Sequence, residues 1–184
     1  MTTEATKLIT AEELFKMGDI GRCELIYGEL VMMSPAGAEH GVVAARFVRY
    51  LAEFAERQGS GAVFSSETGF TVARDPDLVR GPDAAFVGRD RIGPELPRGY
   101  FDGVPDLAVE VVSPGESRRE VAEKVNMWLA HGAHVVWVAD PRQSTVVVHR
   151  VGTTPLTLRE GDEIRDEPLL PGFILPLSKV FRLP

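Results

Sequence analysis

The chain has 184 residues, with 20 Lys and Arg against 27 Asp and Glu, and its net charge of −7 excludes a protein that coats nucleic acid non-specifically. Hydrophobic residues at 44% and charged residues at 26% exclude wholesale disorder. The one cysteine, Cys23, excludes an intramolecular disulfide and a multi-thiolate metal site. No run approaches the roughly twenty apolar residues of a membrane span, and the polar start MTTEATK lacks a secretory core. A cytoplasmic protein without a membrane partner is expected.

In chain order, Thr10 and Glu13 form a capping-box signature for a short helix ending at Met17. The run CELIYGELVMM reads as a hairpin turning at Gly28. SPAGAEHG leads into a helix over 39–57, where Val43, Phe47, Leu51 and Phe54 recur at helical spacing. One strand is expected over 63–73, with Phe64, Phe70 and Val72 on one face and Glu67 on the other. RDPDLVRG reads as a turn, DAAFV as a short strand, and RDRIGPELPRGYFDGVP as a long loop.

DLAVEVVS is apolar on both faces except for Glu110, the pattern of a central buried strand. A second amphipathic helix spans 116–131 and stops at Gly132. HVVWVAD and TVVVHR are strands joined by a turn at 141–144. EGDEIRDE reads as a solvated loop, and LLPGFILPLSKVF as apolar packing. The order implies a mixed α/β sheet flanked by helices.

Nucleotide-phosphate loops, the G-x-S-x-G elbow and H-E-x-x-H are absent, and the four histidines show no ligand spacing. Glu110 therefore draws attention. A carboxylate between Val109 and Val111 requires a proton, a cationic side chain such as Arg80, or a metal ion. Asp83, after Gly81 and Pro82, reads either as a turn cap or as a second carboxylate. Neighbouring strands lie about 4.8 Å apart, and two carboxylates at that separation suit Mg²⁺.

Lys124 sits at the edge of the apolar arc Val121, Val125, Trp128 and Leu129. It reads as a third member of the set or as an i−4 partner of Glu120. The other lysines, Lys7, Lys16 and Lys179, lie near the termini. Two acids, a metal and a lysine form a working set for phosphodiester hydrolysis.

In these residues and their order the chain resembles the Uma-type restriction endonucleases, a branch of the PD-(D/E)XK nuclease superfamily. The resemblance is carried by CELIYGELVMMSPAGAEHG, RGPDAAFV, VPDLAVEVVSPGESRREVAEKVNMWLAHGAHVVWVADP and LLPGFILPLSKVF, in that order. It implies one nuclease-like domain over 1–184: helix and hairpin at 1–37, an αβββαβ core at 38–140, and C-terminal strands and packing tail at 141–184. It implies an endonuclease cleaving DNA with Mg²⁺ or Mn²⁺, acting as a homodimer.

Asp83 and Glu110 match the acidic motif positions, and Val112 stands where the superfamily usually has lysine. Lys124 on the following helix matches the place of the lysine in Uma-type sequences. The resemblance also implies a metal contact from the Val112 backbone carbonyl, with Glu67 and His40 as accessory positions. Substrate phosphate contacts are expected from Arg80, Arg118 and Arg119, although residues 74–124 carry eight cations against eleven acids. The competing functions are a non-catalytic nuclease-fold scaffold, docking through Phe101, Trp128, Phe173 or 175–181, and a hydrolase of another phosphate ester.

Overall fold

The computed structural model describes residues 8–165 and 167–182; the polar start with Lys7 lies outside them. Thr10 and Glu13 cap α1 (Ala11–Lys16) reciprocally, as their spacing predicts. β1 (Cys23–Ile26) and β2 (Glu29–Met32) form the expected hairpin. Tyr27 and Gly28 both have positive φ, at 51° and 84°, which suits a two-residue turn matched to strand twist. α2 (Ala38–Gln58) buries Val43, Phe47, Leu51 and Phe54.

The expected strand over 63–73 is two strands in two sheets. β3 (Gly61–Ser65) ends before a turn that contains Glu67, and β4 (Phe70–Ala73) joins the other sheet. RDPDLVRG likewise holds more than a turn: Leu78–Arg80 is β5, paired with both β1 and β4. β6 (Ala84–Gly88) follows at once. The long loop is interrupted by a 3₁₀ turn at Arg89–Arg91 and by β7 (Phe101–Asp102), which extends the β4 sheet.

β8 (Leu107–Val111) is buried throughout, as its composition predicts. α3 (Arg118–Ala130) leads to β9 (Val135–Asp140) and then β10 (Thr145–His149). TPLTLRE, read as no element in the sequence, supplies β11 (Leu156–Arg159), and EGDEIRDE is not simply solvated. Glu163–Ile164 is β12, paired with β13 (Leu175–Pro176), and Glu167 is buried against Arg150 at 2.5 Å. α4 (Ser178–Phe181) follows.

The central sheet runs β11-β10-β9-β8-β6-β3, with β8 and β9 parallel and its other pairs antiparallel. Its α2–β3–β6–β8–α3–β9 portion is the expected αβββαβ core. α2 and the C-terminal segment cover one face, burying Phe47, Trp137 and Phe173. α3 covers the other, together with the five-stranded sheet β2-β1-β5-β4-β7, through Trp128, Phe70 and Phe101. Phe101, Trp128 and Phe173 are therefore core, as are Leu175, Leu177, Val180 and Phe181. They do not form the docking surface considered for a scaffold.

Gly61 pairs with Gly88 at the edge of the central sheet, where a Cβ would stand 2.1 Å from the Val87 carbonyl oxygen. Gly61→Ala is expected to destabilise the protein by about 1–3 kcal/mol in denaturant titrations. Unchanged stability would contradict this close approach.

Candidate active site

The chain passes from one sheet to the other between Arg80, the last residue of β5, and Ala84, the first of β6. Pro82 in that crossover has no N–H to donate to either ladder. Asp83 takes up the ladder immediately afterwards: its amide donates to the Val109 carbonyl at 2.9 Å. Its Oδ2 accepts the Val111 amide at 2.7 Å, so the side chain extends the pairing past the strand end. Register pairs Ala84 with Val109, so Asp83 and Glu110 are the next residues along the two segments. Both carboxyls are buried, with Asp83 5% and Glu110 7% exposed.

Glu110 faces α3. Trp128 donates its indole N–H to Oε1 at 2.7 Å, and the Lys124 Nζ lies 3.4 Å from Oε2. The same ammonium lies 2.7 Å from Glu116 Oε1. Lys124 thus does not pair with Glu120, whose carboxylate is committed to Ser117 in a capping box. Arg80 does not pair with Glu110 either; its guanidinium lies 3.1 Å from Glu24. Glu24 also accepts the Gly81 amide at 3.2 Å, so the hairpin grips the crossover from outside.

On the α2 side, the His40 Nε2 stands 3.2 Å from Asp83 Oδ2, and Arg22 lies 3.8 Å from Oδ1. His40 reaches Asp83 from the first turn of α2. An open groove of about 510 Å³ runs there, lined by Arg22, His40, Gly41, Ser66, Glu67 and Asp83. Glu67 is exposed on its wall rather than carried on a strand. A cavity of about 790 Å³ beside β10 and β11 is remote from this chemistry, and its arginines and carboxylates pair with one another.

Arg118 and Arg119 are exposed, and Arg119 pairs with Glu123 at 2.7 Å. The first turn of α3 already holds the Glu120 carboxylate, which occupies the place an anion would take. The backbone also separates two neighbours. Val112 donates its amide to Ala139 on the β9 side, whereas Val111 donates to Asp83. A strand residue sends its N–H and C=O to the same neighbour, so the backbone oxygen on the Asp83 side is that of Val111.

Burial pushes the Glu110 carboxyl from an ordinary 4.5 up to about 7. The nearby Lys124 opposes that rise, the Asp83 carboxylate adds to it, and Trp128 and Arg80 pull against it. Burial lowers the Lys124 pKa, but Glu110, Glu116 and Asp83 outweigh it and hold the ammonium above its ordinary value. Lys124 is a fixed positive charge at neutral pH. Among the described residues, no three His, Cys, Asp or Glu side chains gather closely enough to cage a metal ion. The two buried carboxylates remain as donors, and Mg²⁺ is commonly held by one or two carboxylates with water and substrate oxygens.

Sequence reasoning missed Trp128 as a Glu110 partner, Glu116 as a Lys124 partner, and Arg22. Trp128 was legible in principle, since it follows Lys124 by four residues and shares its helix face. Ser117 and Glu120, at capping-box spacing, were a sign that Glu120 was taken.

The pattern of the Uma2 family, described as "Putative restriction endonuclease", matches residues 11–178. The chain belongs to the Uma2 family. A solved structure described as a "putative nuclease belonging to DUF820 from Anabaena variabilis ATCC 29413" aligns with a TM-score of 0.77 and 21% identity. The alignment covers 94% of this chain and 97% of that one, and likeness at this identity shows a shared fold. No curated protein is a significant match. The Uma2 assignment and the restriction-endonuclease-like core agree with the resemblance read from the sequence. Among the described residues, no helix is long and apolar enough to cross a membrane.

The raised Glu110 pKa fixes the sign of a stability change. Between about pH 4.5 and 7 the folded chain retains a proton that the unfolded chain has released. Stability from this group is present below that window and lost as pH rises through it. Glu110→Gln keeps an oxygen for Trp128 and leaves Lys124 on Glu116. It should raise stability at pH 8 by on the order of 2 kcal/mol, with the gain shrinking toward pH 5 in thermal melts. A pH-independent difference would contradict a buried carboxyl titrating near neutrality.

Proposed function

We propose that this Uma2 protein is a metal-dependent endonuclease that hydrolyses DNA phosphodiester bonds at the Asp83–Glu110 pair. The observation that carries the reading is two buried carboxylates, Asp83 just before β6 and Glu110 on β8, near enough that the Asp83 charge helps raise Glu110 to about 7. Such a pair is costly to ionise without a shared cation. The donors are hard oxygens and fit Mg²⁺ or Mn²⁺, held by Asp83, Glu110 and the Val111 carbonyl. When bound, the metal would polarise the scissile phosphate and lower the pKa of a coordinated water.

The chain's own residues divide the remaining work. Asp83 is fixed by the Val111 amide and faced by His40, so its carboxylate cannot rotate freely. Glu110 is fixed by Trp128. Lys124 stays protonated and contributes charge rather than accepting a proton. It offsets negative charge that builds on the phosphoryl oxygens as the water oxygen bonds to phosphorus and the P–O bond to the leaving group breaks. The water's proton passes to solvent, and the departing oxygen takes one from solvent. Arg22, on the open groove, is the cation best placed to meet the substrate phosphate.

Asp83→Ala and Glu110→Ala are each expected to abolish Mg²⁺-dependent cleavage of plasmid DNA, and Lys124→Ala to slow it about 10²–10³-fold. Undiminished cleavage by the purified folded variants would refute the assignment. Hydrolysis of small phosphodiesters with no action on DNA would move the same site to a different substrate.

A further inference from the structure

We infer that Glu116 is a positioning residue that holds the Lys124 ammonium beside the site and draws it off Glu110 when a cation binds there. The inference rests on the metal-dependent reading proposed above and assigns a role to a residue outside its acidic pair. The geometry is a graded contact. Lys124 Nζ is 2.7 Å from Glu116 but 3.4 Å from Glu110, so the turn carboxylate already holds it more closely than the strand carboxylate.

Glu116 is itself held in place. Its side chain is 12% exposed, and its other oxygen accepts the Ser113 amide at 3.3 Å. The carboxylate is thereby anchored to the backbone of the turn joining β8 to α3. Neighbouring glutamates on this side have other duties: Glu120 closes the capping box with Ser117, and Glu123 pairs with Arg119.

The physical need follows from charge and reach. A lysine ammonium on a four-carbon stem keeps its place only where an acceptor holds it. A divalent cation on Glu110 would repel an ammonium 3.4 Å from that carboxylate. With Glu110 as its only partner, Lys124 would either compete with the cation or swing into solvent. Glu116 gives it a third position, near the reacting phosphate but not on the metal's oxygens.

The test is Mn²⁺ calorimetry on the natural chain, Glu116→Gln, Lys124→Met and the double variant. Glu116→Gln is close in shape and can still accept from Ser113. It is expected to weaken Mn²⁺ binding about tenfold, because Lys124 then rests on Glu110. Lys124→Met is expected to bind Mn²⁺ at least as tightly as the natural chain, and adding Glu116→Gln to it to cost little. The Lys124 ¹⁵Nζ resonance of the metal-free chain, slow to exchange when clamped, should broaden in Glu116→Gln. Unchanged Mn²⁺ affinity in Glu116→Gln, an equal loss with and without Lys124, or an unchanged ¹⁵Nζ signal would each overturn the inference. A natural chain that binds no Mn²⁺ would remove the metal-dependent reading itself, and the positioning role with it.

Discussion

Two carboxylates are buried where strands β6 and β8 meet, and the cations beside them do not offset the cost of burying Glu110. Asp83 has a backbone amide, a histidine and Arg22; Glu110 has an indole N–H and a lysine shared with Glu116. Burial still holds Glu110 near neutrality rather than in the ordinary carboxylate range. A sheet interior tolerates such a pair only at a cost in stability. That cost is intelligible where a cation and a phosphate complete the charge balance during function.

The fold brings the two acids together through a change of sheet. β5 belongs to the sheet carrying the N-terminal hairpin, β6 to the central sheet, and Gly81-Pro82-Asp83 is the crossing. Glu24 holds the near side of that crossing through Arg80 and the Gly81 amide. The hairpin is therefore part of what sets Asp83, besides shielding the core. α2 and α3 pack on opposite faces of the central sheet, and each sends one residue to the acids: His40 to Asp83, Lys124 to Glu110. The site lies at the ends of two interior strands between two helical layers, with Asp83 on a groove on the α2 side and Lys124 on another on the α3 side.

Much of this was legible in residue order. The helix at 38–58, the hairpin around Gly28 and the buried strand at 107–111 follow from periodicity, turn chemistry and apolar continuity. The 63–73 run was misread because Phe64 and Phe70 do meet, with ring centroids 5.5 Å apart. They meet across a turn between sheets, not along one strand. β5 escaped because three residues between an Asp-Pro-Asp cluster and Gly81-Pro82 show no period, and tertiary pairing alone makes them a strand. Asp83, Glu110 and Lys124 could be named singly from burial and position. Glu116 and Arg22 could not, because their roles depend on rotamers and on turns whose path no local pattern specifies.

The central claim is that Asp83 and Glu110 share one divalent cation. The most direct measurement is the anomalous scattering of a crystal of the protein equilibrated with Mn²⁺. The account predicts a single strong peak touching both carboxylates, with the Lys124 ammonium shifted toward Glu116. Electron density showing the two carboxylates unchanged, with no peak between them and Lys124 still on Glu110, would contradict it.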